Sequence, residues 1–196
     1  MNVIKHYDKL IDENNDPFRD SAILKEYMNK WDGQLFIDLM KLDKSKRVLE
    51  IGVGTGRIAV KVVSFCFNFV GIDISSKTID RAKENLKDYG NIELICADFL
   101  NYEFDIRFDI IYSSLTMMHF EDKQYVISKV DALLNTNGIF CLSIDKNKDE
   151  YIDMGTRRIK IYPDSLENII SCVNKTSMNL KDIYETEFAY IVVCSK

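Results

Sequence analysis

Val48-Leu49-Glu50-Ile51-Gly52-Val53-Gly54-Thr55-Gly56-Arg57 is the stretch that decides the fold of this 196-residue chain. Arg47 to Gly52 is a short apolar run ending in glycine, which reads as a buried strand. Three of the eight glycines follow at positions 52, 54 and 56 and open a helix running to about Ser64. A glycine cluster at such a point lets the backbone turn sharply and a ligand approach with no Cβ in the way. Ligands of open parallel sheets sit at the carboxyl ends of the strands, which is where this loop lies.

Outward from the loop, strand-like and helix-like runs alternate. Phe67 to Ile74, Asn91 to Ala97, Phe108 to Ser113 and Ile139 to Ile144 read as strands. Ser75-Ser76 caps a helix that carries Ile79, Ala82 and Leu86 on one face. Glu121 to Asn135 is a helix, and Asn137-Gly138 a turn. Asp164-Ser165-Leu166-Glu167 is a capping box that opens a helix with Leu166, Ile169, Ile170 and Val173 inward. Two closing strands, Asp182 to Glu187 and Ala189 to Cys194, have too short a link for a parallel crossover and must pair antiparallel. The expectation is an α/β, doubly wound sheet of seven strands. It is mostly parallel, with one antiparallel strand at the C-terminal end and helices on both faces.

Residues 1–45 precede the first strand. Leu24, Tyr27, Met28 and Trp31 have helical spacing, and a second helical run covers Gln34 to Met40. They read as a helical cap or lid on a core of residues 46–196, the whole making a single domain. The composition, 46% hydrophobic and 29% charged, is that of a soluble globular protein. The net charge is −5, from 26 Lys and Arg against 31 Asp and Glu. Nucleic acid is therefore an improbable general partner, since phosphate contacts need clustered positive charge. No apolar run is long enough to span a bilayer, and the first residues lack the apolar core of a leader. Five scattered cysteines read as buried small hydrophobes in a reducing cytoplasm, with neither a disulfide framework nor a zinc site.

Two ligand classes use a glycine loop of this kind. Dinucleotides require Gly-x-Gly-x-x-Gly, with the pyrophosphate on the helix N-terminus. The spacing here is Gly-x-Gly-x-Gly, and Arg57 stands where the dinucleotide pattern has its third glycine. Glu50, two positions before the first glycine, suits a ligand with a cationic amino group better than one with a pyrophosphate.

Glu50-Ile51-Gly52-Val53-Gly54-Thr55-Gly56 resembles the first motif of the class I S-adenosylmethionine-dependent methyltransferases. The similarity covers residues 45–145 and extends to Gly71-Ile72-Asp73-Ile74-Ser75 and Cys96-Ala97-Asp98-Phe99, which put acids at the ends of the next two strands. The resemblance implies S-adenosylmethionine as cofactor and S-adenosylhomocysteine as product. It assigns Asp73 to the ribose hydroxyls and Asp98 to the adenine amino group. Ile74, Ala97 and Phe99 flank the ring, and Ser113, Ser114 and Leu115 lie beside the methionine moiety. Tyr7 reaches the cofactor from above.

On the acceptor side, His119 in Thr116-Met117-Met118-His119-Phe120 is the candidate general base, with an ordinary pKa near neutrality. His6 reads as a surface residue. Asp145 ends the fifth strand, and Arg157-Arg158 beside Tyr162 could hold a carboxylate or phosphate on an acceptor. The stretch 145–164, with balanced charges, reads as a solvated loop. No magnesium site is expected, because Ser113-Ser114 replaces the acid such a site needs after the fourth strand. Neither Asn-Pro-Pro-Tyr nor Pro-Cys occurs, which disfavours the usual routes of DNA base methylation. The sequence therefore points to methyl transfer onto a small molecule, by a cytoplasmic monomer or homodimer. RNA or protein methylation, or cofactor binding without catalysis, are the alternatives.

Overall fold

The computed structural model describes residues 2–196. A seven-stranded sheet forms its centre, built from β1 (Arg47–Ile51), β2 (Asn68–Asp73), β3 (Ile92–Cys96), β4 (Phe108–Ser114), β5 (Leu134–Asp145), β8 (Asn179–Glu185) and β9 (Ala189–Ser195). The strand order is β3-β2-β1-β4-β5-β9-β8. β1 to β5 are mutually parallel. β9 is the reversed strand, antiparallel to both β5 and β8. This is the expected doubly wound sheet, with its reversed strand one place in from the edge.

Alternate residues of each strand feed two cores, because successive side chains point to opposite faces. Leu49, Ile51, Ile111 and Phe140 pack on one face with α6 (Lys123–Leu133) and α7 (Leu166–Val173). Val48, Ile110, Tyr112 and Cys141 pack on the other with α3 (Gln34–Leu39), α4 (Ala59–Val62) and α5 (Ser76–Asn85). Asp122, Ser75 and Ser165 cap α6, α5 and α7 by accepting backbone N–H bonds, which fixes where each helix starts.

Several local expectations are corrected. The Asn137-Gly138 turn lies inside β5, where Asn137 takes a φ of 64° and the pairing with β4 shifts register. The 145–164 stretch contains a small antiparallel hairpin, β6 (Tyr151–Asp153) with β7 (Arg158–Lys160). An additional helix, α1 (Val3–Asp12), precedes the expected α2 (Ala22–Asp32). His6 on α1 is buried, 2% exposed. Cys66, Cys141, Cys172 and Cys194 are buried as expected, but Cys96 is exposed.

The cap is tied down at several points. Trp31 Nε1 donates to Asp145 Oδ2 at 3.0 Å, and Ser143 Oγ donates to the Trp31 carbonyl at 2.8 Å. On α1, Asp8 accepts from Ser75 Oγ at 2.7 Å. Arg157 on the hairpin grips Glu13 through both terminal nitrogens, at 2.7 and 2.6 Å. Among the described residues, no helix is long and apolar enough to cross a membrane.

Candidate functional site

A cavity of about 470 Å³ opens at the carboxyl ends of β1 to β4, between the glycine loop and the cap. Its size lies in the range of roughly 300–1,000 Å³ common for small-molecule sites. Glu50, Gly52, Gly54, Asp73, Ile74, Ala97, Asp98 and Phe99 all line it, as do Tyr7 and His119. Gly56 is outside the lining and packs against Leu86.

The loop geometry explains two glycines. Gly52 has a φ of 77°, and a Cβ there would lie 2.1 Å from Thr116 Oγ1, so only glycine lets β1 end against the loop after β4. Gly54 also has a left-handed φ, 56°, yet nothing lies within 4 Å of where its Cβ would be. Open space therefore lies in front of Gly54, where a backbone without Cβ allows close approach.

Asp73 fastens this loop. Its Oδ2 accepts from the Gly54 amide at 3.1 Å and its Oδ1 from the Ser75 amide at 3.0 Å. Each oxygen keeps a lone pair for a hydroxyl donor. Burial pushes the Asp73 carboxyl above its ordinary range, partly offset by these amide bonds. Asp98 holds its own turn, accepting from the Leu100 amide at 3.0 Å and from Asn101 Nδ2 at 2.6 Å.

Glu50 lies beneath the loop, 3% exposed, and accepts from the Tyr112 hydroxyl at 2.8 Å. The pair follows from the register, since Glu50 stands opposite Tyr112 in the β1–β4 ladder. Burial drives the Glu50 carboxyl well above the ordinary range, with the Tyr112 bond opposing the shift.

A second buried cluster was not legible as a site. Arg57 reaches Asp32 with both terminal nitrogens, and Ser114 Oγ donates to the same carboxylate at 2.5 Å. Asp32 ends α2, where an acid faces the negative end of the helix dipole. An acid in a last turn is the one sequence signal that something cationic holds it.

On the cap side, the Tyr7 hydroxyl and His119 Nε2 are 2.8 Å apart. Burial lowers the imidazole to about 4, with the charges of His6 and Lys123 acting in the same direction. His119 Nδ1 is buried without a partner. Beside them, Leu115 takes a φ of 54°, a costly conformation for a branched residue at the end of β4.

Other sequence-selected residues lie elsewhere. Ser113 Oγ turns away from the cavity to donate to the Ile51 carbonyl at 2.9 Å, and Ser114, Leu115 and Thr116 take the lining positions. Asp145 is engaged by Trp31. Arg157 is engaged by Glu13, and its Nε donates to His6 Nδ1 at 3.3 Å. Arg158 stacks on Tyr151, with the guanidinium carbon 3.7 Å from the ring centroid. Tyr162 lies under Lys160. None of Asp145, Arg157, Arg158 and Tyr162 lines the cavity, because the 145–164 stretch folds into a hairpin braced against α1.

Comparison with known proteins agrees with this fold. Residues 42–190 match the model of the methyltransferase domain family. Malonyl-[acyl-carrier protein] O-methyltransferase 1 of Ilyobacter polytropus is 31% identical over 107 residues, 54% of this chain and 40% of that protein. The match thus spans less than half of that relative. Among solved structures, N-methyltransferase NodS of Bradyrhizobium japonicum, in complex with S-adenosylhomocysteine, superposes with a TM-score of 0.75 at 16% identity. That alignment covers 100% of this chain and 99% of that one. Magnesium protoporphyrin IX methyltransferase of Synechocystis, with bound S-adenosylmethionine, gives 0.75 at 15% identity, covering 99% and 95%. The chain belongs to the methyltransferase domain family, among the class I S-adenosylmethionine-dependent methyltransferases. S-adenosylmethionine is the cofactor of this family.

Proposed function

We propose that the chain transfers a methyl group to an oxygen, nitrogen or carbon of a small-molecule acceptor. One observation carries this reading. Glu50, Asp73 and Asp98, at or just beyond the ends of three strands, converge on one cavity with open space in front of Gly54.

Bound S-adenosylmethionine supplies an electrophilic methyl group on a sulfonium. Asp73 takes the ribose hydroxyls, whose hydrogen bonds favour the charged carboxylate and counter its burial. Asp98 takes the adenine amino group, with Ile74, Ala97 and Phe99 against the ring. Glu50 lies under the amino-acid end. The protein's own contribution is mainly positioning, since a well-held pair of reactants accounts for a large part of such a barrier. Tyr7 closes over the cofactor from the cap, its hydroxyl 2.8 Å from His119 Nε2, and His119 bounds the acceptor side. An imidazole with a pKa of about 4 is neutral at pH 7 and a weak base, so its work is to orient the acceptor. The acidic balance of the chain disfavours a nucleic-acid acceptor. We take it to act in the cytoplasm as a single-domain monomer or homodimer, with residues 1–45 as the cap.

The test is transfer from methyl-labelled cofactor into separated metabolite, RNA and protein fractions. Label in the low-mass fraction is the expected outcome. Label confined to RNA or protein reassigns the acceptor. Cofactor binding with no transfer to any fraction means a binding protein without catalysis.

A further inference from the structure

We infer that Arg57 is the anchor for the carboxylate of the cofactor's methionine end, held in place for that task by Asp32 of the cap. The inference rests on the S-adenosylmethionine reading of the cavity and adds a residue to it.

The charges of the ligand set the requirement. Its amino-acid end carries an ammonium and a carboxylate on the same carbon, so the groups that receive them must be neighbours. Glu50, beneath the loop, suits the ammonium. The carboxylate needs a cation or a set of free amides. Among the described residues that line the cavity, Arg57 is the one lysine or arginine. His119, with its pKa lowered to about 4, is neutral at pH 7.

The loop amides are largely spent. Those of Gly52 and Val53 donate to the Ile72 carbonyl at 2.9 and 3.1 Å, and that of Gly56 to the Val53 carbonyl at 3.1 Å. The Gly54 amide donates to Asp73. With these amides engaged, the loop lacks the cradle of free N–H groups that glycine loops offer to phosphates. An anion at this end of the cavity is better met by a side chain. Arg57 also occupies the position of the third glycine in the dinucleotide pattern. The residue that departs from that pattern is the one that recognises an amino acid.

Arg57 is well placed and has donors to spare. It follows Gly56 and so closes the loop that Glu50 precedes. Burial dominates the Glu50 carboxyl, and the Arg57 charge is among the influences opposing its upward shift, which marks the two groups as near neighbours. Of the five N–H donors of a guanidinium, Asp32 accepts one from each terminal nitrogen, which leaves three for a ligand. Ser114, which lines the cavity, donates to the same Asp32 oxygen as Arg57 Nη2, so that end of the guanidinium lies at the wall. The Asp32 side chain is 1% exposed and that of Arg57 14%, so Arg57 is the member of the pair open to a ligand. Asp32 thus fixes the plane of the fork, and a planar fork matches a carboxylate with two parallel bonds.

Two ligands that differ in one group test this without turnover. The chain is titrated by calorimetry with S-adenosylmethionine and with its decarboxylated form, which keeps the ammonium and the sulfonium. The wild-type chain should bind the first about tenfold tighter or more, as hydrogen bonds between charged groups require. In Arg57→Met that preference should fall below about threefold. If this variant does not fold, because Asp32 is left buried without its partner, Asp32→Asn combined with Arg57→Met removes both charges and should lose the preference in the same way. Equal affinity of the wild-type chain for the two ligands overturns the inference. So does a variant that binds both ligands more weakly yet keeps the wild-type preference, since that is the mark of a merely structural role. Failure of the wild-type chain to bind S-adenosylmethionine at all overturns instead the cofactor reading beneath it.

Discussion

The cofactor half and the cap half of this cavity are built by different means. On the cofactor side each carboxylate sits at or just beyond a strand end, and its partners are local or fixed by strand register. Asp73 binds the amide two residues on, Asp98 likewise, and Glu50 faces Tyr112 across a ladder. On the cap side the contacts join residues far apart in sequence: Tyr7 with His119 across 112 positions, Trp31 with Asp145 across 114, Arg157 with Glu13 across 144. Strand ends and ladder register fix the first half. The second half exists only once tertiary packing is complete. Damage to the first should therefore appear in cofactor affinity, and damage to the second in stability and acceptor choice.

Asp32→Ala is the strongest way to break the division, because Asp32 joins the halves. It leaves the largely buried Arg57 without its ion-pair partner, which costs about 3–5 kcal/mol. At about 2–4 °C per kcal/mol for a chain of this size, the melting temperature should fall by roughly 10 °C. A loss under about 2 °C would show that Asp32 is not the hub.

His119 gives a pH test. Its folded pKa, about 4, lies below the unfolded value of 6.5. Between those values the unfolded chain takes up a proton that the native imidazole refuses. This contribution is fully present above pH 6.5 and is lost as the pH falls toward 4. Each tenfold loss of proton affinity is worth about 1.4 kcal/mol, so the contribution amounts to at most roughly 3 kcal/mol. Urea unfolding between pH 8 and pH 4 should show the decline, and His119→Gln should flatten part of it. An unchanged profile in that variant would place His119 in water.

Asp73→Ala acts on the other half. Losing a carboxylate that accepts from ribose hydroxyls should weaken cofactor binding by at least 1–2 kcal/mol, about 5- to 30-fold. Equal affinity in mutant and wild type would remove the role assigned to it.

The smallest effect tests whether the halves are separable. Trp31→Phe deletes one half-buried hydrogen bond to Asp145. It should cost about 1 kcal/mol of stability and leave cofactor affinity within twofold. A large loss of cofactor affinity there would mean that the cap helix shapes the adenosyl side after all.

The same division explains what could be read from the residues. The alternation of strands and helices, the glycine loop and the acids at 50, 73 and 98 are local patterns, and the structure brings all three acids to one cavity. Of Ser113, Ser114 and Leu115, only Ser113 leaves the cavity wall, because its hydroxyl turns to the Ile51 carbonyl while Ser114 and Leu115 line the cavity. His6 reads as exposed from its polar neighbours, yet the hairpin carrying Arg157 covers it. Arg157 reads as a ligand-binding residue because its partner, Glu13, lies 144 positions away, whereas Arg158 and Tyr162 are taken up by Tyr151 and Lys160 within the hairpin stretch itself. No local period announces a bond between residues more than a hundred positions apart.

The central claim is that the loop from Gly52 to Gly56, with Glu50, Asp73 and Asp98, forms an adenosyl site and not a dinucleotide site. Calorimetric titration of the chain with S-adenosylmethionine and, separately, with NAD tests this most directly. The account predicts saturable one-to-one binding of S-adenosylmethionine and no heat of binding with NAD. Binding of NAD without binding of S-adenosylmethionine would contradict it.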